Sequence, residues 1–461
     1  MNSKFIQSIK VLLFFVFALI LMNCTGKNSE NASKEELKII EDIIIDSVWV
    51  ANKVSFALQT VGDKQFVAYY DKNRMMTVAS RELGSNKWQK TTLPNKLHWD
   101  SHNYVAMAVD RKGYIHVSGN MHVNPLVYFR SEKPYDISTM LELNEMTGMN
   151  EQRVTYPKFF FNNEGDLLYS YRSGSCGNGN ILVKRFLPEK KEWEVYLKEP
   201  LFEGVEADDD RAAYHQFVKD SEGNFHFLWI WRWTPDVETS HQICYATTPD
   251  LINWKNAAGE SVSLPHQPDD EKLIVDPTPS KGGMSNARYR IILTPDEKPL
   301  VGYIKYDEEG LTQFFLANFT NGIWVSRQIS NWDFRWKFVE GGDQMTMGGV
   351  FNFIGFSEDG LLGVDWKTET GKSGRYVINP ETLEVVNANT KFKPQYPENL
   401  YDRITGHPEM SVNIQNDRSF NANDNTCYVL KWESMGKSHG RHAPEVIPDG
   451  PISPLVLVAY N

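Results

Sequence analysis

One unit recurs along this chain and limits what it can become: an apolar strand, a turn with an acidic residue and a glycine, then a second apolar strand. It reads VGDKQFVAYYD around Gly62, AVDRKGYIHVSG around Gly113, FNNEGDLLYSYR around Gly165 and KDSEGNFHFLWIW around Gly223. Weaker copies follow as LTPDEKPLVGYIK near Asp296, FSEDGLLGVDW around Gly360 and NIQNDRSFNANDNTCYVLKW near Asp417. The seven units lie roughly 50 to 75 residues apart, the spacing expected of propeller blades. One four-stranded sheet cannot bury both of its faces, whereas a closed ring of sheets can, with little exposed edge. The expectation is an all-β chain folded as a seven-bladed β-propeller. Composition agrees: 13% aromatic residues with 31 Gly and 22 Pro suit short strands joined by turns. Several units are followed by a lone tryptophan (Trp88, Trp193, Trp254, Trp324), most simply explained by packing between blades.

Before the first unit stands a different kind of sequence. Lys4 and Lys10 precede twelve uncharged apolar residues, VLLFFVFALILM, which end at Asn23-Cys24. A basic start and a short apolar run make an export signal, too short to span a bilayer comfortably. The run into Leu21-Met22-Asn23-Cys24 resembles a bacterial lipoprotein signal, although Met22 and Asn23 stand where small residues are usual. The expected organisation is a signal peptide over 1–23, lipidation at Cys24, a polar tether over 24–45 and one propeller domain over 46–461. The protein is expected outside the cytoplasm, periplasmic or on the cell surface, touching membrane only through that anchor. Lipidation would leave Cys176, Cys244 and Cys427, an odd number that rules out complete pairing. A net charge of −11 argues against a general nucleic-acid or anionic-membrane binder, so an anionic ligand would need a locally basic site.

Chemistry-bearing residues concentrate in two blocks. The first runs Asp100-Ser-His102-Asn103 through Asp110, Gly113 and His116 to Asn120-Met-His122. His116 lies beyond the Gly113 turn, while His102 and His122 flank the hairpin and can converge at one end of a blade. The second block is Val154-Thr155-Tyr156-Pro157 followed by Tyr171-Arg172-Ser-Gly174-Ser-Cys176-Gly177-Asn-Gly179-Asn180. Tyr156 and Arg172 bracket a hairpin, and the glycines let a backbone pass close to something. Each residue also has a plainer reading: histidines bonded to turn backbone, a core tyrosine and a surface arginine.

The segments D-x-H-N…D-x-x-G-x-I-H…H-x-x-P-L and V-T-Y-P…Y-R-S-G-S-x-G-N-G-N resemble the BNR-repeat seven-bladed propellers that include the ulvan lyases, polysaccharide lyase families 24 and 25. The resemblance covers most of the chain after about Val48. It implies β-elimination, with His102 and His122 matching the family's paired histidines, Tyr156 its tyrosine and Arg172 its carboxylate-neutralising arginine. His102, Tyr156 and Arg172 are therefore the expected catalytic residues, and His122, Asn103 and Asn120 the expected substrate-binding ones. Ser240-His241 through Ala246 fits the same family. Thr247 to Trp254 looks like a degenerate Asp-box of the sialidase-like propellers.

The residue types suit that chemistry on their own terms. Elimination removes the weakly acidic C5 proton of a uronate. An arginine fork on the carboxylate stabilises the enolate-like charge that develops. A neutral His102 or an ionised Tyr156 can take the proton, and Tyr156 can return one to O4. Tyrosine is a poor base near neutral pH unless a cation lowers its pKa, and Arg172 is the cation at hand. No metal is required for catalysis, although relatives hold structural calcium or zinc. Cys244 with His241 and His215 is a weak zinc candidate, and Asp208-Asp209-Asp210 a weak calcium one. His266, His407, His439 and His442 are expected in solvated loops.

Two rivals remain. Val117 to His122 and Phe66 to Ser80 lean toward the related family 145 α-L-rhamnosidases, which remove rhamnose from glucuronate. Their early histidine, however, corresponds here to Asn52, and an amide cannot serve as general acid or base. A non-catalytic glycan-binding lipoprotein is the other alternative, since a propeller alone dictates no activity.

Overall fold

In the repeat turns a side-chain oxygen stands in for a backbone carbonyl. Asp110 accepts from the amides of Lys112 and Tyr114 at 2.8 and 2.9 Å. Asn162 accepts from Asp166 at 2.7 Å, Asp220 from Asn224 at 2.7 Å and Asp307 from Leu311 at 2.8 Å. Such Asx turns close best when the fourth residue is left-handed, and Gly113 and Gly223 sit at φ 87° and 88°. The recurring acidic residue and glycine are thus the two halves of one turn.

The computed structural model describes residues 37–204, 211–338, 349–418, 426–438 and 443–461. Residues 1–23, Cys24, Asp208 to Asp210, His439 and His442 lie outside them. Each of the seven units falls on an antiparallel hairpin. Four of the hairpins pair Ala57–Val61 with Lys64–Tyr70, Val105–Val109 with Ile115–Gly119, Val154–Phe161 with Leu167–Ser175, and Ala212–Lys219 with Phe225–Arg232. The others pair Tyr289–Leu293 with Pro299–Tyr306, Gly349–Phe356 with Leu362–Thr368, and Ser411–Asn416 with Cys427–Ser434. Further strands extend them, and a parallel bridge from Gly179 to Ala212 joins the third and fourth units into one eleven-stranded sheet. Among the described residues the only helical segments are four 3-10 turns. The fold is all-β.

The strand Ile39–Trp49 pairs antiparallel with Ile452–Tyr460 and so completes the last sheet from the opposite end of the chain. It begins inside the segment expected to be a polar tether. The reason is its alternation, in which Ile39, Ile43 and Ile45 turn inward and Ile40, Asp42 and Ile44 outward.

Hydrophobic clusters are shared between consecutive units. One joins Leu168, Ile181 and Val183 to Phe227, Trp229 and Trp231; the next joins Leu228, Ile230 and Tyr245 to Tyr289, Val301 and Tyr303. Trp193 packs against His116 and Tyr128 of the preceding sheet, and Trp324 against Tyr245. In the Thr247–Trp254 turn Asp250 accepts from the amides of Ile252 and Asn253, both at 2.8 Å, and Trp254 bonds the carbonyl of Leu251. It behaves as an Asp-box despite its missing glycine.

His266 corrects the sequence expectation. It is 1% exposed, stacks on Trp229 at 5.3 Å, and burial pushes its pKa down to about 3. The flanking Pro-rich loop is polar, but the imidazole is used as a flat core ring. Cys244, His241 and His215 do not assemble into a metal-ligating cluster among the described residues. Cys244 is buried with its thiol pushed up by desolvation, and burial, then Lys158, drives His215 down to about 3.

Candidate active site

Strand register places the site. His122 opens the short strand His122–Asn124 and lies opposite Thr155, which in turn lies opposite Arg172 on the next strand. The Thr155 hydroxyl accepts from the amide of Val123 at 2.8 Å and locks the two strands together. In a regular strand Tyr156 would then face away from this row. It does not, because pairing slips between Thr155 and Lys158 and Tyr156 adopts φ 59°. A bulge with a left-handed non-glycine residue costs of order 1–3 kcal/mol, and such strain is concentrated at functional sites. The result is an edge-on contact with His102 at 5.8 Å between ring centres.

Asp100 organises the histidines. One carboxylate oxygen lies 2.7 Å from Nδ1 of His102, and the other lies 2.7 Å from Nδ1 of His122. The imidazole centres are 4.2 Å apart, and both side chains keep 24% exposure. Burial alone would raise the pKa of Asp100, but the hydrogen bonds from His102 and His122 outweigh it and hold it below the carboxylate range. An ionised carboxylate only accepts, so each Nδ1 carries a proton, and a ring in its neutral form has its lone pair on Nε2. That is the tautomer of a base.

Arg172 is wholly buried, not the surface charge of the plainer reading, and its guanidinium lies 4.9 Å from the centre of the Tyr156 ring. The glycines explain how it fits. A Cβ on Gly179 would come within 2.8 Å of Cγ of Arg172, and one on Gly177 within 2.4 Å of the Thr234 backbone. The pKa of Tyr156 is raised: burial exceeds the opposing pull of Arg172, with Arg232 also lowering it. The expectation that Arg172 could ionise this tyrosine is therefore corrected. Desolvation wins, and the phenol of Tyr156 keeps its proton near neutral pH.

The two asparagines are both buried. Asn120 donates to Asn95 and to the Lys96 carbonyl at 2.7 and 2.9 Å and accepts from the amide of His98 at 3.0 Å. Asn103 is 3% exposed; its backbone carbonyl accepts from Tyr70, while its side-chain Oδ1 is buried with no hydrogen-bond partner. The Asn120 side chain is thus committed to neighbouring backbone and side chains. Asn52 is likewise committed, accepting from Ser101 at 2.5 Å and from the amide of Ser438 at 2.8 Å.

Three features escaped sequence reasoning: Asp100 as common partner, Tyr214 and Arg232. The Tyr214 oxygen receives Nη1 of both Arg172 and Arg232 at 3.4 Å. The Asp-x-His spacing was a signal for the first, and an arginine closing the buried strand Phe225–Arg232 was a signal for the last. Four cations, Lys53, Lys437, Arg288 and Arg290, lie within electrostatic reach of one another. Lys53 and Lys437 adjoin the Asn52–Ser101–Ser438 network, and Ser101 precedes His102. Desolvation, then Lys437, lowers Lys53; desolvation, then Arg290, lowers Arg288.

Comparison with known proteins puts this geometry in context. No curated protein sequence matches the chain. The solved structure of the polysaccharide lyase Uly1 is 15% identical, with TM-score 0.58 over 92% of this chain and 99% of that one. A PL25 ulvan lyase is also 15% identical, with TM-score 0.55 over 87% and 94% of the two chains. The structure of a PL25 ulvan lyase bound to -[GlcA(1-4)Rha3S]- gives TM-score 0.54 over the same shares. At that identity the likeness is one of fold. The family model described as BNR repeat-containing family member matches residues 64–332, more than half of the chain, and the protein belongs to that family.

Proposed function

We propose that the protein is a seven-bladed propeller lyase that cleaves a rhamnose–uronate glycan such as ulvan by β-elimination, leaving a 4,5-unsaturated uronate end. The observation that carries this reading is the shared carboxylate: Asp100 accepts from Nδ1 of both His102 and His122, beside a tyrosine whose pKa is raised by burial and a buried arginine. Arg172 takes the uronate carboxylate, so charge developing at C5 spreads toward a fixed cation. His102 Nε2 removes the C5 proton, the electron pair forms C4=C5, and the C4–O4 bond breaks. Tyr156 gives its proton to O4 as the sugar departs. The imidazolium then returns its proton to the tyrosinate through solvent. His122 orients the sugar and shares Asp100.

Other observations support the reading. The cations Lys53, Arg288, Arg290 and Lys437 suit an anionic chain on an otherwise acidic protein. A PL25 ulvan lyase of similar fold has been solved with a glucuronate–rhamnose sulfate unit. Seven hairpins, with the first strand completing the last sheet, fit a ring of seven blades. The rhamnosidase alternative is weakened because the amide of Asn52 is spent on Ser101 and Ser438. Export and a lipid on Cys24 would put the activity at the cell surface or in the periplasm.

One assay with two readouts tests the proposal. Purified protein is incubated with ulvan and, separately, with rhamnose-capped arabinogalactan. Ultraviolet absorbance of the new double bond, lost in Tyr156→Phe and Arg172→Ala, is the expected result. Free rhamnose without absorbance would move the chemistry to hydrolysis, and binding without turnover would leave a glycan-binding module.

A further inference from the structure

We propose that Arg172 and Arg232 form a single anion site, in which one carboxylate is held between two guanidiniums, making Arg232 the second recognition residue for the acidic sugar. This rests on the reading of Arg172 as a carboxylate ligand and deepens it.

The two arginines come from different sheet units. Arg172 lies in the strand Leu167–Ser175, and Arg232 ends the strand Phe225–Arg232. They meet because the Gly179–Ala212 bridge joins those units and because the glycine hairpin closes over both. Gly179 lies against the Arg172 side chain, and Gly177 against Thr234, whose carbonyl holds Nε of Arg232 at 3.1 Å. The guanidiniums also sit over the same tyrosine, 5.8 and 5.6 Å from the centre of the Tyr214 ring.

Two buried cations side by side need an anion. Arg172 is 0% exposed and Arg232 2% exposed. Among the described residues neither forms an ion pair with a carboxylate, whereas the buried Lys184 is paired with Glu151 and the half-buried Lys305 with Asp276. Their common partner is the neutral Tyr214 oxygen, at the long end of the hydrogen-bond range. Nε and Nη2 of Arg172 and Nη2 of Arg232 are buried with no acceptor at all. An arginine acting only as a brace between strands would have these donors on carbonyls or carboxylates, since an unpaired buried charge is strongly destabilising. Three orphaned donor nitrogens on two neighbouring forks suit the lone pairs of one carboxylate. The Tyr156 ring lies 4.9 Å from the Arg172 guanidinium, so a carboxylate held by Arg172 would lie near the tyrosine proposed to serve its sugar.

The test is binding without turnover. Titration calorimetry of the full protein with D-glucuronate, and with its neutral methyl ester, is run on wild type, Arg232→Gln and Arg232→Lys, with near-ultraviolet circular dichroism to establish folding. Glucuronate is expected to bind wild type, to lose about tenfold or more in affinity in Arg232→Gln and to recover partly in Arg232→Lys. The ester is expected to bind all three equally weakly. A folded Arg232→Gln or Arg232→Lys that binds glucuronate as wild type does would overturn the inference, as would wild type that does not prefer the acid to the ester. Arg232-dependent binding without any unsaturated product from ulvan would retain the anion site while removing the lyase reading.

Discussion

Two regions of this molecule use the same side chains for opposite ends. At the candidate site Asp100 bonds His102 and His122 through Nδ1, and the rings keep 24% exposure. Inside the sheets Asp110 bonds His116, and Asp220 bonds His226, each through Nε2. In that second arrangement Nδ1 is also taken, by Tyr128 at 2.7 Å and by Tyr245 at 2.6 Å. A histidine with both nitrogens engaged inside a sheet is a staple. One whose Nδ1–H is fixed by a carboxylate while its ring stays partly exposed is, on the lyase reading, the group that works on the substrate. The difference lies in which nitrogen the carboxylate takes and in what covers the ring.

The largest expected contrast is between the two carboxylates. Asp100→Asn replaces an acceptor shared by two N–H donors with an amide that must turn one end toward each, which disrupts at least one tautomer. Loss of kcat by about 10³- to 10⁴-fold is expected, by analogy with amide replacement in a Ser–His–Asp triad. Asp110→Asn should leave kcat near wild type and lower Tm, since it weakens a buried bond worth about 1–3 kcal/mol. Steady-state rates and thermal melts on both variants decide it, and equal loss of kcat would break the distinction. Acid stability follows the same logic. The folded pKa of Asp100 is depressed, so its contribution is complete above the ordinary carboxylate value and is lost as pH falls toward the folded value.

Next come the histidines. His122→Ala should reduce the rate about 10- to 100-fold with Tm nearly unchanged, because the ring is partly exposed and leaves no sealed cavity. His116→Ala should do the reverse. It opens a hole among Tyr128, Phe186 and Trp193 and strands two polar partners, at about 2–5 kcal/mol, while the rate measured below Tm is preserved. Burial depresses the pKa of His116 against the pull of Asp110. Its stabilisation is therefore present above the ordinary histidine value and fades as pH drops below it.

Much of this was legible in the sequence. The recurring acidic residue and glycine announced seven hairpins, and the spacing of His102, His122, Tyr156 and Arg172 announced that one end of neighbouring units would gather them. Roles that depend on burial and bond direction were not legible. Asn120 stands in the same motif as the histidines, yet it holds a neighbouring loop. His266 sits in a Pro-rich stretch and is core. The bulge that turns Tyr156 inward leaves no mark beyond the following Pro157. Arg232 closes a hydrophobic strand, and its lack of a carboxylate partner among the described residues is visible only in three dimensions.

Tyr156 supplies a smaller test of the same contrast. Its pKa is raised above the ordinary 10.0 because desolvation exceeds the pull of Arg172 and Arg232. An acid is active while protonated, so kcat should hold a plateau up to about pH 10 rather than climb with pH. A rate that rises through the alkaline range in proportion to tyrosinate would make Tyr156 the base and reduce His102 to a staple.

The mildest perturbation is a metal ion. Asp100, His102 and His122 offer ligand atoms within 4.8 Å of one another, a spacing that could hold a divalent ion. Zinc binds imidazole nitrogen at about 2.0–2.1 Å and needs a lone pair on the bound atom. Entering at Nδ1, it must displace protons that now bridge to Asp100, so it competes with the arrangement that makes the rings bases. Added zinc should therefore inhibit reversibly, and more strongly as pH rises, while chelator-treated protein keeps its full rate. The sheet staples cannot respond in this way, because His116 is fully buried with both nitrogens taken. If chelation abolished turnover and zinc restored it, the carboxylate would be a metal ligand before it was a hydrogen-bond partner. The proton would then have to leave C5 by a route other than His102.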